Sequence, residues 1–137
     1  MKTVMSGLDL RAIASELSQV VGSHCKKCYQ PHYEQVVLRL RAKSGGNTDL
    51  VLVRGKRIYT SKRDRPMPQY PAPFAMVLRK VLTNARLKGV EQIGFDRVLR
   101  FVFENSHGTF HLYVEVFRDG NIILTDGEDM IIQPLTH

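Results

Sequence analysis

At 137 residues the chain has the length of one domain, and 43% of its residues are hydrophobic. A chain of this size and composition can bury a core that is stable without disulfide bonds. Lys and Arg number 20 against 13 Asp and Glu, which gives a net charge of +7. No low-complexity run is present. These properties exclude a disordered or fibrous chain, and we expect one globular domain over residues 1–137.

The positive charge is concentrated in the first part of the chain. Residues 1–100 contain 19 Lys or Arg against 7 Asp or Glu, whereas residues 101–137 contain one Arg against 6 acids. A strongly basic body predicts a polyanionic partner, because neutralising phosphates releases their counterions. A Lys- and Arg-rich surface that only keeps the protein soluble would explain the charge equally well.

The N-terminus does not resemble a signal peptide. Asp9, Arg11 and Glu16 occupy the region where the apolar core of a signal would lie, and no uncharged apolar run approaches ~18 residues. We therefore expect a soluble, cytoplasmic protein that makes no membrane contact.

The first predicted element is a helix that ends at Gly22. Its apolar face is formed by four residues at helical spacing, Leu10, Ile13, Leu17 and Val20. Ser6 and Asp9 have capping-box spacing, with Asp in place of the more usual Glu. A carboxylate in the first turn also stabilises the helix dipole, so Asp9 has a structural explanation that does not exclude a functional one.

The segment Cys25–Cys28 is a CxxC motif that encloses Lys26 and Lys27, with His24 and His32 nearby. Such a motif can bind zinc or act as a redox pair, but a structural zinc site uses four ligands and only one pair is present. On a regular strand, residues i and i+3 point to opposite faces, which would separate the thiols. We therefore predict two ordinary reduced cysteines and no metal or other cofactor.

Alternating residues next predict strands. Val36, Leu38 and Leu40 alternate with Val37, Arg39 and Arg41. This pattern indicates a half-exposed strand whose solvent side becomes basic at its end. Leu50–Val53 and Ile58–Tyr59 flank a tight hairpin at Arg54–Arg57. The segment from Ser61 to Pro73 is then a proline-rich basic linker.

A second helix is predicted from Pro73 to Lys88. Its apolar stripe consists of Phe74, Val77, Leu78, Val81, Leu82 and Ala85. Pro73 near the start and Gly89 near the end bracket it in the expected order. Arg79, Thr83 and Arg86 share the opposite face. Arg86 complements the dipole, whereas Arg79 has no such explanation and is the better candidate for a ligand contact.

The motif Gly94-Phe95-Asp96-Arg97 closes this predicted helix and opens a strand. An arginine can bind a phosphate or a base edge in a bidentate manner, and a neighbouring carboxylate can orient it. The remainder is predicted to be β. Phe101 and Phe103 alternate with Arg100, Val102 and Glu104. Phe110, Leu112, Val114 and Val116 face one way, and His111, Tyr113 and Glu115 face the other. Turns are expected at Asn105–Gly108, Arg118–Asn121 and Thr125–Gly127. Short connections imply antiparallel pairing, so we expect an α+β fold, an antiparallel β-sandwich flanked by two helices.

Several ordered blocks resemble the N-terminal domain of the NFACT family, from about Ser6 to Ile132. They are Leu8–Ala12, Arg65–Pro66, Pro71–Phe74, Leu78–Leu82, Ala85–Leu87, Gly94–Arg97, Phe101–Phe103 and Gly120–Asp126. This family includes the RqcH proteins, the nuclear export mediator factor and proteins described as fibronectin-binding. The resemblance implies a fold similar to the N-terminal domain of formamidopyrimidine-DNA glycosylases.

The resemblance also implies a function in ribosome quality control. Such proteins bind large ribosomal subunits carrying peptidyl-tRNA, recruit tRNA, and support template-free C-terminal tailing of stalled chains. Asp9, Asp96 and Arg97 match the positions that the family needs for tailing, through tRNA contact. We expect phosphate contacts from basic residues that do not read sequence, namely Arg11, Lys62, Arg63, Arg65, Arg79, Lys80 and Arg86.

Two other functions compete with this one. A DNA glycosylase of the related fold would need an N-terminal proline followed by glutamate, whereas this chain begins Met1-Lys2-Thr3. A general DNA- or RNA-binding module without a tailing role remains the principal alternative. No Walker loop, Gly-x-Ser-x-Gly or HExxH motif occurs, and we do not expect an enzyme.

Overall fold

A computed structural model describes residues 7–62, 67–68, 72–94 and 97–136, with the backbone alone for residues 7–10. Two helices and nine strands follow one another along the chain. They are α1 (Gly7–Leu17), continued by a 3-10 turn (Ser18–Val20), β1 (His24–His32), β2 (Gln35–Arg41), β3 (Asn47–Val53), β4 (Arg57–Ser61), α2 (Pro73–Val81), β5 (Arg86–Gln92), β6 (Val98–Asn105), β7 (Gly108–Glu115), β8 (Ile122–Asp126) and β9 (Ile131–Pro134).

All nine strands belong to one antiparallel sheet in the order β4-β3-β2-β1-β5-β6-β7-β8-β9. The predicted α+β class, antiparallel pairing and two helices are confirmed. The predicted sandwich takes the form of one continuous sheet, because β1 and β5 pair at His24 and Arg86. Around that pair, Gly22 N donates to Leu87 O at 2.7 Å and Leu87 N donates to Ser23 O at 2.8 Å.

The two halves of the sheet, β1–β4 and β5–β9, share one apolar core. Leu38, Leu50 and Ile58 of the first half belong to the same buried cluster as Phe101 and Leu124 of the second. Helix α1 packs on β5 and β4, and α2 packs on β1 and β9. As predicted, Leu17 is buried, and Ile13 and Val20 are partly buried against the core. Within the described residues, no helix is long and apolar enough to cross a membrane.

The second helix is shorter than predicted, because it ends at Val81 instead of Lys88. Asn84 adopts a left-handed conformation (φ 55°), and Cys25 N then donates to Ala85 O at 2.8 Å. Arg86 is therefore the first residue of a strand, and the prediction that it shares a helix face with Arg79 and Thr83 is wrong. The Gly94–Arg97 motif follows strand β5, not a helix, and Gly89 lies within that strand.

Two predictions about the first strands also need correction. The segment His24–His32, for which no strand was predicted, forms β1. Val37, expected on the solvent side of β2, is buried because Tyr29 and Val51 pack on it in a second, smaller cluster. The hairpins predicted at Arg54–Arg57 and Asn105–Gly108 are confirmed, as are the turns that precede β8 and β9.

The halves meet again at the turn between β3 and β4. Gly55 N donates to Glu115 O at 2.9 Å, and Arg54 Nη1 donates to Gly120 O at 2.6 Å. A Cβ on Gly120 would lie 2.5 Å from Glu115 O and 2.7 Å from Phe117 O. Only glycine fits at position 120, because both neighbours are backbone atoms that cannot turn aside.

A polar network covers the outer face of the second half. Arg100 Nη2 donates to Glu91 Oε2 at 2.9 Å. Tyr113 OH donates to Asp129 Oδ1 at 2.6 Å, and His111 Nδ1 lies 2.9 Å from the same oxygen. The hydrogen bond from Tyr113, followed by that from His111, lowers the pKa of Asp129. Burial, followed by the bond to Asp129, raises the pKa of Tyr113.

We expect Gly120→Ala to lower the free energy of unfolding by about 1–3 kcal/mol, because the methyl group overpacks the connection between β7 and β8. Urea denaturation of the two proteins measures the difference. Gly89→Ala is the matched control, since a Cβ there meets nothing within 4 Å. Equal destabilisation by both variants would contradict the proposed fit at position 120.

We expect Tyr113→Phe to raise the pKa of Asp129 towards its ordinary value, because the main hydrogen bond to the carboxylate is lost. NMR titration of the Asp129 carboxyl carbon measures this change. Because folding lowers the pKa of Asp129, the hydrogen bonds to its carboxylate stabilise the fold above the ordinary pKa of the group. This stabilisation is lost as the pH falls through the pKa of Asp129 in the folded protein. Tyr59→Phe is the control, and an unchanged Asp129 pKa in Tyr113→Phe would show that the hydrogen bond does not hold the carboxylate.

Candidate nucleic-acid interface

A row of basic side chains crosses the outer face of three neighbouring strands. His24 of β1 is paired directly with Arg41 of β2 and with Arg86 of β5. Directly paired residues project from the same face, with Cβ atoms about 4.5–5.5 Å apart. Arg41 and Arg86 are exposed. This face therefore presents two guanidinium groups on either side of an imidazole.

Two lysines extend this row because β1 is irregular. The pairing of β1 with β2 is interrupted by a register shift between Cys25 and Lys27, and both Lys26 and Lys27 are exposed. Lys26 Nζ donates to Asn84 Oδ1 at 2.8 Å, a neutral partner that leaves its charge uncompensated. We refer to His24, Lys26, Lys27, Arg41 and Arg86 as the basic surface.

The cations of this surface differ from the neighbouring Arg39 in their ion pairing. Arg39 donates to both carboxylate oxygens of buried Asp49, at 2.9 and 3.1 Å, and is neutralised by it. Within the described ranges, Lys27, Arg41 and Arg86 form no ion pair. Their charge is therefore available to a phosphate, which is the property that a sequence-independent nucleic-acid contact requires.

Arg79 has a structural role that the sequence did not indicate. Its Nε donates to Cys28 O at 2.7 Å, and its guanidinium lies 5.1 Å from the ring centre of Tyr29. Arg39 approaches the same ring at 5.4 Å. The expectation that Arg79 lacks a structural explanation is wrong, because it attaches α2 to the backbone and aromatic ring of β1.

A cavity of about 180 Å³ opens beside the basic surface, between β1 and the end of α2. Its lining combines cationic, polar and sulfur-containing side chains: Cys25, Lys26, Lys27, Cys28, Arg79, Leu82 and Thr83. Thr83 Oγ1 donates to Arg79 O and so holds the end of α2 at the edge of the cavity. This arrangement places two thiols beneath a positively charged opening.

The two thiols lie close together, and the prediction that a strand would separate them is wrong. The Sγ atoms of Cys25 and Cys28 are 3.6 Å apart, and both side chains are buried. The register shift inserts one residue into the alternation, so that residues i and i+3 face the same side. The hydrogen bond to Cys25, followed by burial, raises the pKa of the Cys28 thiol.

The residues implied in tRNA contact are only partly described. Asp96 and the side chain of Asp9 lie outside the described residues. Arg97 is half-buried just before β6, and its carbonyl accepts the N–H of Val116 at 2.7 Å. Helix α1, in which Asp9 lies, packs on β5, the strand that leads into the Asp96–Arg97 connection. Helix α1 is therefore a neighbour of the strand that precedes this connection.

The predicted phosphate-contacting residues do not form one cluster. Arg11, Lys62, Lys80 and Arg86 are exposed, and Arg86 alone belongs to the basic surface. Lys62 lines a different cavity, of about 340 Å³, together with Glu16 of α1 and Asn47 of β3. Arg63 and Arg65 lie outside the described residues. Among the described residues, no group of three or more His, Cys, Asp and Glu could hold a metal ion.

Sequence reasoning missed most of the basic surface. The alternation of β2 did indicate that its solvent side becomes basic at Arg41. Lys26 and Lys27 were considered only as neighbours of the cysteines, since the strand around them and its bulge were not predicted. Arg86 was selected for its charge but was assigned to a helix.

Comparisons with known proteins agree with this fold. A family model described as NFACT N-terminal and middle domains matches residues 6–137. The archaeal Rqc2 homolog aRqcH of Methanocaldococcus jannaschii is 38% identical over 140 residues, which cover 98% of this chain and 21% of that protein. The human ribosome quality control complex subunit NEMF is 35% identical over 136 residues, which cover 98% of this chain and 12% of that protein.

Solved structures show the same architecture. The N-terminal part of the fibronectin/fibrinogen-binding protein from Streptococcus suis matches with a TM-score of 0.87 and 29% identity, over 97% of this chain and 54% of that one. The N-terminal domain of the fibronectin-binding protein PavA from Streptococcus pneumoniae matches with a TM-score of 0.85 and 29% identity, over 96% of this chain and 53% of that one.

The chain therefore spans about a fifth or less of the two ribosome quality control relatives described here. The family resemblance seen in the sequence is confirmed along nearly the whole chain. The chain belongs to the NFACT family, whose members most similar in sequence include ribosome quality control proteins of archaea and eukaryotes.

Proposed function

We propose that this domain binds tRNA and the large ribosomal subunit in a cytoplasmic ribosome quality control factor, and that it supports template-free C-terminal tailing of stalled nascent chains. Membership of the NFACT family and the names of the relatives support the general process. The observation that carries RNA binding is the basic surface, on which Lys27, Arg41 and Arg86 are not neutralised by other described residues.

The domain uses two kinds of contact in this proposal. The basic surface neutralises backbone phosphates and contributes affinity without reading sequence. Asp9, Asp96 and Arg97 recognise tRNA by hydrogen bonding and shape, because folded RNA is distinguished mainly by its shape and its exposed bases. Helix α1, which contains Asp9, packs on β5, and β5 precedes Asp96 and Arg97 in the chain, which supports a joint contact.

The domain positions tRNA and performs no chemistry of its own. Peptide transfer belongs to the ribosome, and the proposal assigns no metal or cofactor to the domain. The predicted likeness to the N-terminal domain of formamidopyrimidine-DNA glycosylases concerns the fold alone. A general nucleic-acid-binding module is the alternative, and the same basic surface would support it.

Competition binding at one salt concentration separates these two functions. We expect tRNA to bind more tightly than an unrelated structured RNA or duplex DNA. Asp96→Ala combined with Arg97→Ala should weaken tRNA binding by about tenfold or more, because a bidentate contact contributes about 1–3 kcal/mol to discrimination.

The matched control is Arg118→Ala combined with Glu128→Ala, which removes one exposed residue of each charge elsewhere. We expect this control to bind tRNA as the unchanged domain does. Equal affinity for all three nucleic acids, unaltered by the Asp96 and Arg97 substitutions, would exclude tRNA-specific recognition and favour the general module.

The basic surface makes a separate prediction about salt. Arg41→Gln combined with Arg86→Gln should weaken binding to all three nucleic acids by a similar factor. The slope of log K against log salt concentration should become shallower by about 2, roughly 1 for each phosphate contact that is lost. Fluorescence anisotropy at a series of salt concentrations measures both effects.

Arg57→Gln combined with Arg118→Gln removes the same charge from exposed positions outside the basic surface. Arg57 begins β4, at the opposite end of the first half of the sheet from Arg41. An equal change of slope in this control would mean that net charge, and not the arrangement on β1, β2 and β5, determines binding.

A further inference from the structure

The cysteine pair has a geometry that a regular strand cannot provide. Cys25 and Cys28 are separated by two residues, yet their sulfur atoms are in contact at 3.6 Å. The register shift of β1 between Cys25 and Lys27 produces this contact. A disulfide bond has an S–S length of about 2.05 Å, so the sulfur atoms need to approach by about 1.5 Å.

We propose that Cys25 and Cys28 form a reversible dithiol–disulfide site. The bulge already directs both side chains to the same side, and the bond closes a loop of only four residues. A β-bulge also locally interrupts the strand ladder, so a small movement of Cys25 or Cys28 displaces fewer paired backbone groups than in a regular strand.

The cavity provides access for a small oxidant. Both cysteines line it, although both residues are almost fully buried. Lys26, Lys27 and Arg79 line the same cavity and attract anions. A low-molecular-mass disulfide with carboxylate groups, of which oxidised glutathione is an example, fits this charge.

The exchange takes place in two balanced steps. The thiolate of Cys25 attacks one sulfur of the small disulfide, forms a mixed disulfide and releases one small thiolate, which takes up a proton. The thiolate of Cys28 then attacks Cys25 Sγ and displaces the second small thiolate, which is protonated in turn. The protein loses two protons and two electrons, and the small disulfide takes them up to become two thiols.

The order of these steps follows from the hydrogen bond within the pair. The contact with Cys25 and burial raise the pKa of Cys28, which therefore retains its proton in the resting protein. The thiolate is the reactive species, so the first attack falls to Cys25. Formation of the mixed disulfide removes this hydrogen bond, which is the largest cause of the raised pKa of Cys28.

The direct test is incubation of the folded, reduced domain with oxidised glutathione, followed by alkylation of the remaining thiols and measurement of the intact mass. We expect the loss of two hydrogen atoms, no alkylation, and full reversal by a dithiol reductant. Two alkylated cysteines, or a reaction that stops at a mixed disulfide in the unmodified sequence, would overturn the proposal. Stoichiometric zinc bound to the reduced domain would also overturn it, in favour of a metal site.

Single substitutions test the order of attack. Cys28→Ser should accumulate a stable mixed disulfide at Cys25. Cys25→Ser should react with oxidised glutathione at least about tenfold more slowly than Cys28→Ser does. In denaturant the two variants should react at similar rates, because the fold no longer distinguishes the thiols. Similar rates in the folded variants would refute Cys25 as the attacking thiol, and the measurement on the unmodified domain does not depend on the folding of either variant.

Discussion

The pairing of β1 with β5 is the constraint on which the other features depend. One residue pair, His24 with Arg86, and a few adjacent backbone hydrogen bonds join the two halves into one sheet. This junction ends α2 early, because the residues after Asn84 bond to β1 instead of continuing the helix. The same junction places Arg86 on the other side of His24 from Arg41. The joined sheet, the early end of α2 and the basic surface therefore share one local cause.

The basic residues have divided roles, and their contacts distinguish these roles better than their charges do. Arg39 and Arg79 are engaged with Asp49, Tyr29 and the backbone of β1, where they stabilise the fold. Arg41 and Arg86 are exposed on a strand face. Removing Arg39 or Arg79 would disturb packing, because both guanidinium groups lie near the ring of Tyr29, which belongs to the second, smaller buried cluster. Removing Arg41 or Arg86 would change mainly the electrostatic field.

The sequence predicted what depends on local periodicity. Alternation located β6 and β7, and Asp-Gly turns located the connections around β8. It failed where distant pairing overrides a local pattern: Leu82 and Ala85 continue the helical spacing of α2, but Ala85 bonds to Cys25 across the sheet. A bulge reverses the side of the sheet to which every later residue of the strand points, but it does not alter the hydrophobic alternation of the residues before it. The contact between the two thiols could therefore not be predicted from the sequence. The roles of Asp9 and Asp96 stay predictions from family resemblance.

A single open sheet also has two outer strands, and β4 and β9 hold these positions in the described part of the chain. Unpaired backbone groups on such strands can recruit strands of other molecules and lead to aggregation. Arg57 opens β4 and exposed Lys62 follows it, while Pro134 in β9 has no N–H to donate. Charge at one edge and proline at the other oppose further pairing. An incoming strand would therefore meet a charged neighbourhood at β4 and one backbone donor fewer at β9.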